Sequence, residues 1–267
     1  MIFTTDGLVL RIVEIGDHDR LLTLLTPNYG RIRVMAKGVS TLRSSILSIV
    51  QMFTYGNYEI YRKGDSYWLR DGSVINTFYA LSDDIERLAL ASYISEAAIE
   101  MSDEGEDATD TLRLVLNTFY AICKQDRPYS VIKAVYELRM VAMAGYCPDL
   151  SGCDECEKFI SDDMYFDVMN GRLMCDECFH KKSQGSQTTT YSSSEESADA
   201  NIICPVTSSS VTAMRYALSV PVQRMFSFSL TDKQEQENFS KACETYLLSH
   251  LGRGFDSLGF YKSVKSI

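Results

Sequence analysis

The chain is short of histidine, proline and tryptophan, with three, five and one in 267 residues. His18, His180 and His250 are scattered, so a histidine-based triad or a histidine metal site has little material. The chain has no Gly-x-x-x-x-Gly-Lys-Ser/Thr phosphate loop, no dinucleotide glycine triplet after a strand and no Gly-x-Ser-x-Gly elbow. Nothing in it asks to be an enzyme. No stretch approaches the roughly eighteen apolar residues that span a bilayer. Residues Met1 to Gly7 lack the positive region and apolar run of a signal peptide. A soluble cytoplasmic protein is expected. Hydrophobic residues make up 45%, which supports a packed core and excludes wholesale disorder.

Cysteine is present in a pattern. Cys153, Cys156, Cys175 and Cys178 form two Cys-x-x-Cys pairs separated by eighteen residues. Two such pairs supply four soft ligands, the pattern of a closed tetrahedral zinc site. Asn170-Gly171 between two short apolar runs predicts a type I′ hairpin that returns Cys175 to the first pair. Redox dithiols or disulfides would need a secretory context or a wider framework, and Cys123, Cys147, Cys204 and Cys243 show no paired spacing. Four thiolates leave no open position for water, so the zinc, one per chain, is structural. His180 offers a substitute ligand that four thiolates make unnecessary.

Charge is uneven. The net charge is −10, yet residues 1–80 carry +2 and the remainder −12. From Arg20 to Tyr58 there are five basic residues and no acidic one. An acidic chain that clears carboxylates from one stretch keeps that surface attractive to anions.

Residues 1–80 read as five short strands with an interruption between the third and fourth, which suits a small closed barrel of the OB type. Arg31-Ile32-Arg33-Val34-Met35-Ala36-Lys37 alternates basic and apolar, putting Arg31, Arg33 and Lys37 outward and Ile32, Val34 and either Ala36 or Met35 inward, with room for a bulge near Lys37. Gly64-Asp65 reads as a hairpin turn. From Ser82 the period becomes helical, with Asp83-Asp84 loading the first turn. Asp103 to Asp107 reads as a solvated acidic break. Further helices are expected over Leu112–Cys123, from Pro128 to Gly145, and after Ser208 to Ser210. The last helix is expected to begin at Thr231 with Gln234 completing a capping box. The expected domains are 1–80, a nucleic-acid-binding barrel, and 81–267, a helical domain. The latter would contain the zinc module (147–182) and a mobile Ser/Thr-rich loop (183–201).

Small barrels of this kind bind single strands with a positive groove and stacking aromatics. Arg11, Arg31, Arg33, Lys37 and Arg43 are the candidates for phosphates. Tyr29, Phe53, Tyr55, Tyr58 and Trp68 are the nearby aromatics.

Three groups of motifs run along the chain. The N-terminus has Gly7-Leu8-Val9-Leu10, Leu24-Leu25-Thr26-x-x-Tyr29-Gly30 and Ala36-Lys37-Gly38-Val39 followed by Arg43-Ser44-Ser45. The middle has Tyr136-Glu137-Leu138-Arg139, Ala144-Gly145-Tyr146 and the four cysteines. The end has Tyr246-Leu247-Leu248-x-His250-Leu251 and Ser257-Leu258. In their order and spacing nearly the whole chain resembles the RecO family of bacterial DNA repair and recombination mediators. The resemblance implies an N-terminal OB barrel, an all-helical C-terminal domain and an embedded zinc module, hence an α+β protein. It also implies single- and double-stranded DNA binding, strand annealing, and work with RecR, sometimes RecF. With them the family loads RecA onto DNA coated by single-stranded-DNA-binding protein. The rival expectation is a zinc-stabilised protein–protein adaptor whose acidic helical domain does the work and whose barrel is a scaffold.

Overall fold

The structure, a computed structural model, describes residues 1–39, 44–124, 126–185 and 202–265. These form two compact units, Met1–Asp126 with Phe255–Ile267, and Arg127–Gly254. No helix among the described residues is long and apolar enough to cross a membrane.

In the first unit, β1 (Ile2–Ile15), β2 (Asp19–Thr26), β3 (Gly30–Ala36), β4 (Thr54–Lys63) and β5 (Ser66–Thr77) close a barrel in the order β1-β2-β3-β5-β4. All pairings are antiparallel except β3 with β5, which closes the barrel in parallel. The expected five-stranded OB-type barrel is therefore present. Alternation drives it: Val9, Leu22, Leu24, Ile32, Val34 and Ile60 fill the interior. A bulge between Val9 and Arg11 lets the fourteen-residue β1 pair with both β2 and β4. Gly64-Asp65 joins β4 to β5 as expected, with Lys63 paired to Ser66 and Gly64 at φ +60°. A short helix, α1 (Ser44–Ile49), fills the interruption between β3 and β4.

Three more helices belong to this unit: α2 (Ile85–Glu100), α3 (Thr109–Lys124) and α8 (Asp256–Lys265). Asp84 caps α2 by accepting from the Arg87 N–H at 3.0 Å. α2 packs on β1, α3 on β2 and α8 on α2. Leu8, Leu10 and Leu25 are buried although they stand outside the barrel's internal cluster. Phe119 of α3 meets Phe53 and Phe78 edge-on. The compact units thus do not divide at residue 80, because these apolar positions on the barrel exterior carry helices.

The second unit contains α4 (Tyr129–Met143), α5 (Asp176–Gly185), α6 (Ser208–Ser219) and α7 (Lys233–Leu251). It also holds a four-stranded sheet in the order β6-β8-β7-β9: β6 (Asp149–Cys153), β7 (Asp163–Asp167), β8 (Arg172–Cys175) and β9 (Ile203–Thr207). The expected helical domain with its embedded cysteine module is present, and the sheet there adds β6 and β9, which the sequence reading did not include, to the expected hairpin strands. The β7–β8 connection also differs from expectation. Only Gly171 has positive φ, whereas a type I′ turn needs it at Asn170 too. Asp167 accepts from the N–H groups of Met169 and Asn170, both at 3.1 Å, and holds a four-residue loop instead.

Two caps fall elsewhere than expected. Thr207 caps α6, and Asp232, rather than a Thr231–Gln234 box, caps α7 by accepting from the Glu235 N–H at 2.9 Å. Nor is α7 the last helix, since α8 follows it. Residues 183–185 of the expected mobile loop lie in α5; residues 186–201 lie outside the described residues.

α4 is buried on eleven of its fifteen residues, including Lys133 and Glu137. The Lys133 ammonium lies 2.9 Å from a carboxylate oxygen of Glu137 and 2.9 Å from one of Glu244 on α7. Burial opposes its charge, but the two carboxylates outweigh burial and hold its pKa above the ordinary value.

Candidate functional site

Two places carry chemistry. The first is the outer face of the barrel. Arg11 pairs with Thr23 across β1–β2, and Thr23 pairs with Arg33 across β2–β3. Directly paired residues project to the same side, so Arg11, Thr23 and Arg33 form one outward row. Thr23 is only 7% exposed between its two arginine neighbours. Arg31 stands two residues before Arg33 on the same face and is half-buried; Lys37 is exposed just past the end of β3. Among the described residues, Arg11, Arg31, Arg33 and Lys37 form no ion pair. Arg43 lies outside the described residues.

The aromatics divide. Phe53 and Tyr58 are buried, with the Tyr58 hydroxyl donating to the Ile49 carbonyl at 3.0 Å. Tyr29 packs on Phe3 with ring centroids 4.4 Å apart, and the Tyr55 hydroxyl donates to Asp6 at 3.4 Å. Trp68 faces outward and pairs with Tyr61, which sequence reasoning missed although it occupies an outward position one strand over.

The acidic break is not simply solvated. Its side chains are exposed, but its backbone is clamped to the β2–β3 turn. The Arg31 N–H donates to the Asp103 carbonyl at 3.3 Å, and the Gly105 N–H to the Tyr29 carbonyl at 3.0 Å. A Cβ on Gly30, whose φ is +60°, would lie 1.9 Å from the Asp103 carbonyl oxygen, so only glycine fits. Glu104 accepts from the Tyr67 hydroxyl at 2.9 Å. The backbone of the acidic loop therefore lies against that of Arg31, while Arg33 and Arg11 lie further along the sheet.

The second place is the cysteine cluster. β6 ends on Cys153, β8 ends on Cys175, and α5 begins at Asp176 and carries Cys178. The parallel pairing of β6 with β8 brings the two Cys-x-x-Cys segments together. All four Sγ atoms lie within 4.8 Å of one another, and Cys156 and Cys175 are 3.7 Å apart. A tetrahedron with zinc–sulfur bonds of about 2.3 Å has sulfurs about 3.8 Å apart, so the cluster fits such an ion. For Cys153, burial opposes the thiolate, but the backbone N–H groups of Cys175, Cys156 and Glu155 outweigh it and bring the pKa down to about 6. Crowding by the Cys156 and Cys175 thiols pushes Cys178 up to about 12. Four thiols this close are thus inclined to exchange protons for a cation.

Tyr165 and Phe179 stack at 3.8 Å and brace α5 against β7. His180 pairs with Asp176 at 3.0 Å, and the cluster that could hold a metal ion consists of the four cysteines.

Barrel, helices and four-thiol cluster together define a two-part protein with exposed cations on the outer face of an OB-type barrel and a four-thiol cluster that could hold a metal ion. Residues 1–78 match the family model described as "Recombination protein O N terminal", and residues 82–259 the one described as "Recombination protein O C terminal". The chain belongs to the RecO family of DNA repair and recombination proteins. It is 26% identical to the DNA repair protein RecO of Acetivibrio thermocellus, over 98% of this chain and 97% of that one. It is 24% identical to that of Clostridium acetobutylicum, over 100% of this chain and 96% of that one. Over 66% of this chain and 68% of the relative, it is 29% identical to that of Pelotomaculum thermopropionicum.

Proposed function

We propose that this chain is a non-enzymatic recombination mediator that binds single- and double-stranded DNA through Arg11, Arg31, Arg33 and Lys37 of the barrel. Arg43 and Tyr29 complete the set expected from the sequence, with Tyr29 acting as support because its ring packs on Phe3. The observation that carries the reading is the outward row Arg11–Thr23–Arg33, whose arginines face solvent without an ion-pair partner among the described residues. When such a row meets DNA, its arginines displace counterions condensed on the phosphates, and the released ions favour binding.

Annealing needs no active site. A surface that neutralises two strands lowers their repulsion and raises their encounter rate. Membership of the RecO family supports the remaining parts of the reading. These are assistance in loading RecA onto DNA coated by single-stranded-DNA-binding protein, partnership with RecR and in some settings RecF, and a cytoplasmic, nucleoid-associated location. For the four cysteines the reading is one structural zinc per chain, supported by the soft ligand set and the sulfur spacing. The ion would hold β6, β8 and α5 together and take no part in a reaction.

The test is oligonucleotide binding and annealing by the full chain at low salt. Binding of single strands and duplexes, and faster annealing without any nucleotide cofactor, are expected. A chain that binds neither form would refute the reading and favour the adaptor alternative, in which the chain captures its protein partners while ignoring DNA.

A further inference from the structure

Of the helices in the second unit, α5 is held least by packing. None of residues 176–183 is buried, and the helix lies on β7 and β8 of the sheet. A ten-residue helix without a buried face is unstable in water, because nucleation costs more than so few hydrogen bonds return. Three kinds of tether hold it. The Phe179 ring stacks on Tyr165 at 3.8 Å. Lys182 pairs with Glu155 at 3.1 Å and Glu177 with Lys158 at 3.8 Å, all four side chains being exposed, where such pairs contribute little. The third tether is Cys178, in the first turn, which belongs to the four-sulfur cluster.

The cluster has two sides. Cys153 and Cys175 end the paired strands β6 and β8 and are 2% and 1% exposed. Cys156 is exposed and Cys178 half-buried, so solvent reaches the cluster from their side. Every sulfur lies within 4.8 Å of the others, and Cys156 is 3.7 Å from Cys175. A disulfide needs about 2.05 Å, so one partner of Cys156 has to move to form one. Cys175 is fixed by the ladder of β8 between β6 and β7. Cys178 rides on the loosely held α5.

We infer that the cluster is a redox-sensitive latch for α5. A peroxide closes Cys156 on Cys178, the cluster gives up its ion, and α5 unfolds while the sheet remains. The inference rests on the structural-zinc reading above and deepens it. The Cys156 thiolate attacks hydrogen peroxide; an S–O bond forms, the O–O bond breaks and hydroxide leaves, giving a sulfenic acid. The Cys178 thiolate then attacks that sulfur; the S–S bond forms, the S–O bond breaks and a second hydroxide leaves. Two protons from solvent turn the hydroxides into water. The two sulfurs lose two electrons in all, and the peroxide gains them. Cys153 and Cys175 alone are too few for a closed four-sulfur site. A dithiol reductant reverses the step by exchange.

The zinc-loaded full chain is treated with hydrogen peroxide and followed by zinc released to a chromogenic chelator, by disulfide mapping of peptides and by amide hydrogen exchange. Zinc is expected to leave in step with a Cys156–Cys178 disulfide. Protection of residues 176–183 is expected to fall by more than about tenfold, while β7 stays protected and the barrel strands change by less than about twofold. A dithiol reductant with added zinc is expected to restore all three readouts. Cys178→Ser, measured without peroxide, is expected to show the same loss over 176–183. Zinc retained while the exposed Cys147 becomes oxidised overturns the inference, since peroxide then reaches thiols but not the cluster. A disulfide between other cluster cysteines, zinc release with 176–183 still protected, or equal loss of protection in β7 and 176–183 also overturns it, and each leaves the zinc reading standing. A purified chain that holds no zinc overturns both.

Discussion

The two units use the same charged residues in opposite ways. On the barrel, Arg11, Arg31, Arg33 and Lys37 point outward with no ion-pair partner among the described residues. In residues 127–254 many cations are committed to structure, although Lys181, Arg224, Lys233 and Lys241 are exposed. Lys133 is sealed between Glu137 and Glu244. Arg139 donates to the Ala217 and Val220 carbonyls at the end of α6, and Arg215 donates to the Leu150 carbonyl at 2.6 Å while lying over the Phe159 ring. Lys158, Arg172 and Lys182 pair with Glu177, Asp154 and Glu155. A charge whose field is already cancelled at 3 Å attracts little from solution, whereas an open row stays available to an anionic polymer. The comparison teaches that sign and number of charges along a sequence do not locate a binding surface until their partners are known.

If the second unit uses its ionisable groups for structure, removing them should cost stability. Cys153→Ser, or treatment with a chelator, is expected to have the largest effect. Loss of a structural zinc ligand should lower stability by on the order of 5 kcal/mol or more, read as a drop in melting temperature together with loss of metal by elemental analysis. Acidification acts in the same direction, because protons compete with the metal for thiolates. Protein purified without chelators that contains no zinc would contradict the assignment.

Lys133→Ala comes next. It leaves Glu137, with its side chain wholly buried, facing Glu244 without a cation, and should lower stability by about 3–5 kcal/mol in denaturant melts. Replacing Lys133, Glu137 and Glu244 together with apolar residues of similar size should cost much less, since no unpaired charge remains. If the triple variant is as unstable as the single one, packing rather than charge governs this contact.

The smallest effect belongs to the boundary between available and committed charge. Glu106→Gln in the loop clamped to the β2–β3 turn should raise DNA affinity by about twofold at low salt and not at high salt, because the clamp holds an acidic loop close to the cationic face and salt screens its charge. A gain that persists at high salt would mean that the loop obstructs the surface rather than opposing its charge.

Much of this arrangement is legible in the chain because it rests on local periodicity. Alternation in Arg31 to Ala36 gives the inward and outward faces of β3, and the spacing of the four cysteines gives the cluster. Other features depend on contacts that periodicity does not record. The clamp of Asp103 on Gly30 is a backbone contact between residues about seventy apart, and only the glycine hints at it. Lys133 and Glu137 are one helical turn apart inside an otherwise apolar stretch; that embedded i, i+4 pair is a usable signal, but the apolar spacing of Ile132, Val135 and Leu138 hides it. β6 and β9 are short strands whose partners lie far away in sequence. The Asp167 side chain overrides the turn that Asn170-Gly171 alone favours. Arg11 and Arg33 come together only through strand register, which sequence alternation leaves open.

The most direct test of the contrast between open and committed cations is the slope of log affinity against log salt for a single-stranded oligonucleotide. The unmodified full chain is compared with Arg31→Ala/Arg33→Ala/Lys37→Ala on the barrel and with Lys158→Ala/Arg172→Ala/Lys182→Ala in the second unit. The barrel variant is predicted to lose about 2 from the magnitude of the slope, as expected for three phosphate contacts on a single strand. The second variant is predicted to keep the slope of the unmodified chain. Equal slopes in the barrel variant and the unmodified chain, or a loss confined to the second variant, would contradict the account.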